Sequence, residues 1–249
     1  MTAPERVPLG AALALLLALV SLTGPLAPVL TAVMVAILSV MVAVGWPELL
    51  ELPSPVGTRI VVAGTGILGA AVAIGVDDAI GPLVGAVSVC AVGVFASFVH
   101  QMMRRERDHL TESLTGTVSG ALMTGLGSCW VLAQEHAASH HSSGLLAALA
   151  ISLAAALLLD ATSLPALWRL VLGVIGSTGL TMLVADSVLG VDLWQTGLLG
   201  LCVGLGALGV HQLVGSPIHA EEPAPSLTIA AAPVVTIGVV AQIAVNLLT

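Results

Sequence analysis

Lysine is absent from this 249-residue chain, and its six basic residues are all arginine: Arg6, Arg59, Arg104, Arg105, Arg107 and Arg169. Charged residues of both signs make up only 8% of the sequence, against 57% hydrophobic. A typical globular domain is about 25% charged. A water-facing surface cannot be built from so few charges, so the solvent for most of the chain is lipid. Six arginines also leave little to hold a polyanion, which argues against a nucleic-acid partner. Cysteine is scarce too. Cys90, Cys129 and Cys202 fall inside apolar runs and match no zinc spacing. They read as small packing residues. There is no Gly-x-Ser-x-Gly elbow, and no apolar run holds acids spaced for magnesium–diphosphate chemistry. A lipid-modifying enzyme therefore ranks behind other readings, and no cofactor or metal is implied.

What is present is a series of long apolar runs rich in Ala, Leu and Gly. Backbone in lipid must satisfy its own hydrogen bonds, which leaves helices or a closed barrel. Barrel strands alternate over about ten residues, and these runs do not. The expected fold is an all-α transmembrane bundle, one integral membrane domain over residues 1–249. A span needs about 20 residues. Nine candidates lie near 8–22, 28–46, 58–76, 80–100, 112–133, 144–160, 166–185, 193–214 and 226–248. The first is short. Gly24, Pro25 and Pro28 mark a tight turn that pairs it with the second as a hairpin; the alternative is a re-entrant segment and eight crossings. Residues 1–22 fit a signal peptide loosely, but no small-x-small site precedes Pro25, so a retained helix is expected.

The arginines orient the bundle. They cluster at the N-terminus and at the even-numbered connections or the span ends beside them. Arginine-rich short loops face the cytoplasm. The N-terminus is then inside and, with nine spans, Thr249 is outside. The loop from Ser216 to Pro225 carries Glu221 and Glu222 but no base, and acids have little topological weight.

Two stretches of the chain resemble one another. Pro55-Val-Gly-Thr-Arg59 opens the third span and Pro165-Ala-Leu-Trp-Arg169 the seventh, an offset of 110 residues. Val99-His100-Gln101 closes the fourth and Val210-His211-Gln212 the eighth, an offset of 111. These marks suggest repeat units over 8–110 and 111–215, followed by an extra helix over 226–248. An even number of spans separates equivalent positions, so the units would be parallel, as in one class of transporter. Chance similarity between low-complexity segments is the other account.

Seven residues are candidates for function. Arg59, Arg169, His100 and His211 mark the repeat. Histidine at a helix C-terminus is favoured by the dipole alone, yet both sit in a Val-His-Gln setting. Asp77 and Asp78 precede Ile80-Gly-Pro82 and suit either the positive end of a helix or a cation entry site. Asp186 follows Gly179-Leu-Thr-Met-Leu-Val-Ala without a turn signal, and an acid at the hydrocarbon edge is costly and usually functional.

Three further features take structural readings. Gly64-Thr-Gly66-Ile-Leu-Gly69 matches a dinucleotide fingerprint, but no polar-faced helices follow, so its glycines are expected to let helices approach. Arg104 to Asp108 forms an inner loop, with Thr111 available to cap the fifth helix. Glu135, His136, His140 and His141 make a polar outer loop. His136 and His140 would share a face if this loop were helical and could then hold zinc or copper, whereas Ser139, Ser142, Ser143 and Gly144 favour a flexible loop.

The order Gly45-Trp-Pro-Glu-Leu-Leu50, Leu52-Pro-Ser-Pro-Val-Gly-Thr58, Phe98-Val-His-Gln-Met-Met-Arg-Arg105 and Glu112-Ser-Leu114 resembles multi-spanning membrane proteins of actinobacteria over nearly the full chain. The resemblance implies a plasma-membrane location and carries across no functional residue. The expected function is transport, or assistance to transport, of a small or lipid-like solute. The alternative is an accessory subunit that packs on another membrane protein, or on itself, through Gly-rich helices. Membrane lipids are expected partners in either case.

Overall fold

Continuous apolar runs give continuous helices. The computed structural model describes residues 7–75, 82–104, 108–140, 142–189, 192–215 and 223–248, without the side chains of 7, 82 and 185–189, and its regular structure is entirely helical. The helices are α1 (Val7–Ser21), α2 (Ala27–Leu49), α3 (Pro55–Gly75), α4 (Pro82–Met103), α5 (Leu110–Ser139), α6 (Ser143–Asp160), α7 (Ala166–Leu189), α8 (Leu193–Val214), α9 (Pro223–Thr236) and α10 (Gly238–Leu248). Proline opens α3, α4 and α9, where its missing N–H has no intrahelical partner to lose. Eight of these rods are long and apolar enough to cross a membrane, counting α9 and α10 as one bent helix. The chain is a polytopic membrane protein.

Helix α1 is the short one. Its 15 residues extend about 22 Å at 1.5 Å per residue, less than a ~30 Å hydrocarbon core. It nevertheless traverses much of the bundle. Near its start, Gly10 faces Leu157, three residues before the end of α6. At its finish, the Ser21 carbonyl accepts from Gln134 Nε2 at 3.4 Å, near the far end of α5. The expected turn is present: a 3-10 turn at Gly24–Leu26 leads into α2, with Gly24 at φ 68°.

Several boundaries differ from those read in the sequence. Helix α5 runs to Ser139, six residues past the expected end at 133, so Glu135 and His136 are helical. Hydropathy falls at Gln134, but nothing there breaks a helix. The cap of α5 is His109, at φ 52°, and Thr111 lies inside the helix instead of capping it. The last span is bent. Pro233 cannot donate to the preceding turn, and α9 gives way to α10 at Ile237. Trp130 of α5 packs into this break and donates from Nε1 to the Val234 carbonyl at 2.7 Å.

In lipid, helices associate through close packing and interhelical hydrogen bonds, not through burial of apolar area. Both devices are used. A Cβ at Gly45 would stand 2.0 Å from the Ala224 carbonyl oxygen, so only glycine admits α9 this close to α2. The Gly64–Gly69 motif lies wholly within α3, and Gly66 packs against Ser39 of α2 and Thr124 of α5. Thr124 Oγ1 donates to the Val62 carbonyl at 2.7 Å, Trp46 Nε1 to Gly116 at 2.7 Å and Thr228 Oγ1 to Val42 at 2.8 Å. The centre of the bundle is α2, α5, α6 and α9; α4 and α7 lie outside it and expose Phe95, Met102, Leu167 and Leu183.

Candidate functional site

Helix α6 ends on an acid. Asp160 stands at the negative end of the helix dipole, where a carboxylate is unfavourable, and its side chain is only 4% exposed. It is held by two bases from two other helices. His211 Nδ1 of α8 lies 2.7 Å from Oδ2. Arg169 Nη1 of α7 lies 3.8 Å from Oδ1 and donates to the Asp160 carbonyl oxygen at 3.0 Å. The arginine therefore neutralises the acid and caps the helix carrying it. Arg169 Nε is buried and has no hydrogen-bond partner among the described groups. The cluster joins α6, α7 and α8 at one end of the bundle.

A second cluster occupies the same end. Arg59 of α3 pairs with Glu48 of α2 through Nη2 and donates from Nε to the Val44 carbonyl at 3.1 Å. His100 of α4 packs its ring on Gly57, where a Cβ would displace it, and its Nε2 is 3.2 Å from Ser54 Oγ. Beside it, Gln101 donates to Ser113 Oγ at 2.8 Å and accepts from Arg104 at 2.9 Å. The two clusters correspond in type and order: an acid ends one helix, Pro-x-x-x-Arg starts the next and histidine closes the third. Deeper in the bundle, Thr65 of α3 packs on Gly93 of α4, and Ser177 of α7 on Gly204 of α8. The clusters differ in the histidine, since His211 reaches its acid and His100 reaches a serine.

An open apolar groove of about 360 Å³ lies at the same end. Trp46, Leu49 and Leu50 line it from the end of α2, Met123 from α5, and Val210, Leu213 and Val214 from α8. Leu49 follows Glu48, and Val210 and Val214 flank His211 along α8. The groove residues of α2 and α8 thus neighbour one member of each cluster in sequence.

Four of the seven sequence candidates, Arg59, Arg169, His100 and His211, are therefore brought to one end of the bundle. Asp186 falls on α7, with its side chain outside the described residues, and Asp77 and Asp78 lie outside them altogether. Glu48 and Asp160 were missed. Each closes an apolar run and looks like a loop acid; the signal was its place, a few residues before each Pro-x-x-x-Arg. With the geometry in hand, no family model, curated protein or solved structure matches this chain.

Proposed function

We propose that this protein is a plasma-membrane transporter whose solute is amphiphilic, with an apolar body of lipid-like character. The buried Asp160, held by Arg169 and His211 across three helices at the groove's end of the bundle, carries this reading. An ionisable residue within a spanning segment is expensive and marks a solute or proton path more often than a structural need. The groove supplies a surface for an apolar body, at the lower end of ligand-pocket volumes. The Glu48–Arg59 and Asp160–Arg169–His211 clusters at the same end supply polar groups for a head. The carboxylate and imidazole at 2.7 Å can share a proton, so proton movement could be coupled to rearrangement of α6 against α8. We read the matching order of the two clusters as a mark of parallel repeat units, which fits transport.

The accessory-subunit reading loses part of its support. It relies on Gly-rich helix faces free for a partner: the close contacts at Gly45, Gly66, Gly93, Gly200 and Gly204 are made within the chain, whereas Gly64, Gly179 and Gly209 have nothing within 4 Å of a Cβ.

Reconstituted vesicles test the proposal. Under an imposed pH gradient, transfer of a fluorescent phospholipid, a lysophospholipid and a long-chain amine between leaflets is followed by dithionite quenching. The wild type should accelerate at least one probe, and Asp160→Asn should abolish the gradient dependence at equal incorporation. Rates equal to those of protein-free vesicles for all three probes would overturn transport of an amphiphile.

A further inference from the structure

Away from the arginine end, α5 carries two histidines whose arrangement was undecided in the sequence. The helix continues six residues past its apolar stretch, so His136 and His140 stand four apart at its C-terminal end and share one face. Their rings are stacked, with centroids 4.6 Å apart and planes at 22°. Ser139 Oγ is occupied by the His136 carbonyl at 2.7 Å and does not compete for the rings. Among the described residues, no hydrogen bond engages either imidazole.

From this geometry we infer a bidentate site for a divalent transition-metal ion of the zinc, copper or nickel type. Imidazole nitrogen is the ligand common to these ions, at about 2.0–2.1 Å for zinc. Rings side by side at this spacing need only side-chain rotation to turn one nitrogen each toward a shared ion. The C-terminal end of α5 carries the negative pole of a thirty-residue helix, which favours a cation there. His140 is exposed and His136 partly so, which leaves an entry path and room for water to complete the coordination. Among the described residues, no group of three or more ligand side chains is placed to enclose a metal. The site is therefore open and exchangeable, not a structural clamp. It is independent of the groove and of the transport proposal.

The test uses the full-length protein in detergent after stripping with EDTA. Calorimetric titration with ZnCl2 should give one ion per chain, while MgCl2 gives no binding. His136→Gln and His140→Gln should each weaken zinc binding at least about tenfold, the scale set by loss of a ligand's own supporting partner. His211→Gln should leave it unchanged. With CuCl2, the wild-type electron paramagnetic resonance spectrum should show hyperfine splitting from two nitrogens. Unchanged zinc binding in either α5 variant, loss of binding in His211→Gln, or a spectrum with fewer than two nitrogens overturns the site.

Discussion

Asp160 and Glu48 hold equivalent places in their clusters but not equivalent environments, and the difference decides what each contributes. Asp160 is 4% exposed, whereas Glu48 and Arg59 are each more than a third exposed. Removing one partner of a buried pair strands the other charge and costs about 3–5 kcal/mol. Arg169 is itself a third exposed, so its stranding is partly relieved by water. Asp160→Ala should then destabilise by about 2–3 kcal/mol, and Glu48→Gln by under ~1 kcal/mol. In detergent-solubilised protein the Asp160 variant should melt roughly 5–10 °C lower and the Glu48 variant within a few degrees of wild type. Equal shifts would mean that the Asp160 cluster is as solvated as its counterpart. The sequence displayed the bases of both clusters, because a base is rare in this chain. It hid the acids, because an acid closing an apolar run looks the same whether it faces water or an arginine on the next helix.

Helices were legible as elements because each is a nearly unbroken apolar run, and the eight long rods fall on eight of the nine runs read from composition. Their contacts were not legible, since every helix is apolar on most sides and periodicity cannot tell a lipid face from a packed one. Glycine illustrates the difficulty. Gly64 and Gly66 belong to one motif, yet Gly66 is pressed against Ser39 and Thr124 while nothing stands within 4 Å of a Cβ at Gly64. Gly64→Ala should be neutral or stabilise α3 by up to about 1 kcal/mol through helix propensity. Gly45→Ala meets the Ala224 backbone oxygen, which has no rotamer to escape into. It should separate α2 from α9 and destabilise by about 1–3 kcal/mol, the usual cost of overpacking. Melting midpoints of the two variants check the contrast, and a destabilising Gly64→Ala would place another surface against that face of α3.

Across the whole molecule, the arrangement of charge is simpler than the arrangement of helices. Arg59 with Glu48, Arg104 with Gln101, and Arg169 with Asp160 and His211 gather at one end, although they come from three different helix connections. The sequence allowed this inference because span counting alternates the ends, and it does not depend on α1, whose 15 residues are short of a crossing by length alone. Tracing α1 from Leu157 to Gln134 carries the chain from the arginine end to the opposite one. On the short-loop arginine rule the arginine end is expected to face the cytoplasm. Labelling measures this directly, in a background with Cys90, Cys129 and Cys202 replaced. Ser139 lies at the end of α5 and Ser163 between α6 and α7; both are exposed, and α6 alone separates them. An impermeant maleimide added to intact cells should modify Ser139→Cys and spare Ser163→Cys until the membrane is opened. The reverse pattern would invert the bundle and put the Asp160 cluster outside. Modification of both in intact cells would mean that α6 does not cross the membrane, and the eight-rod arrangement would fail with it.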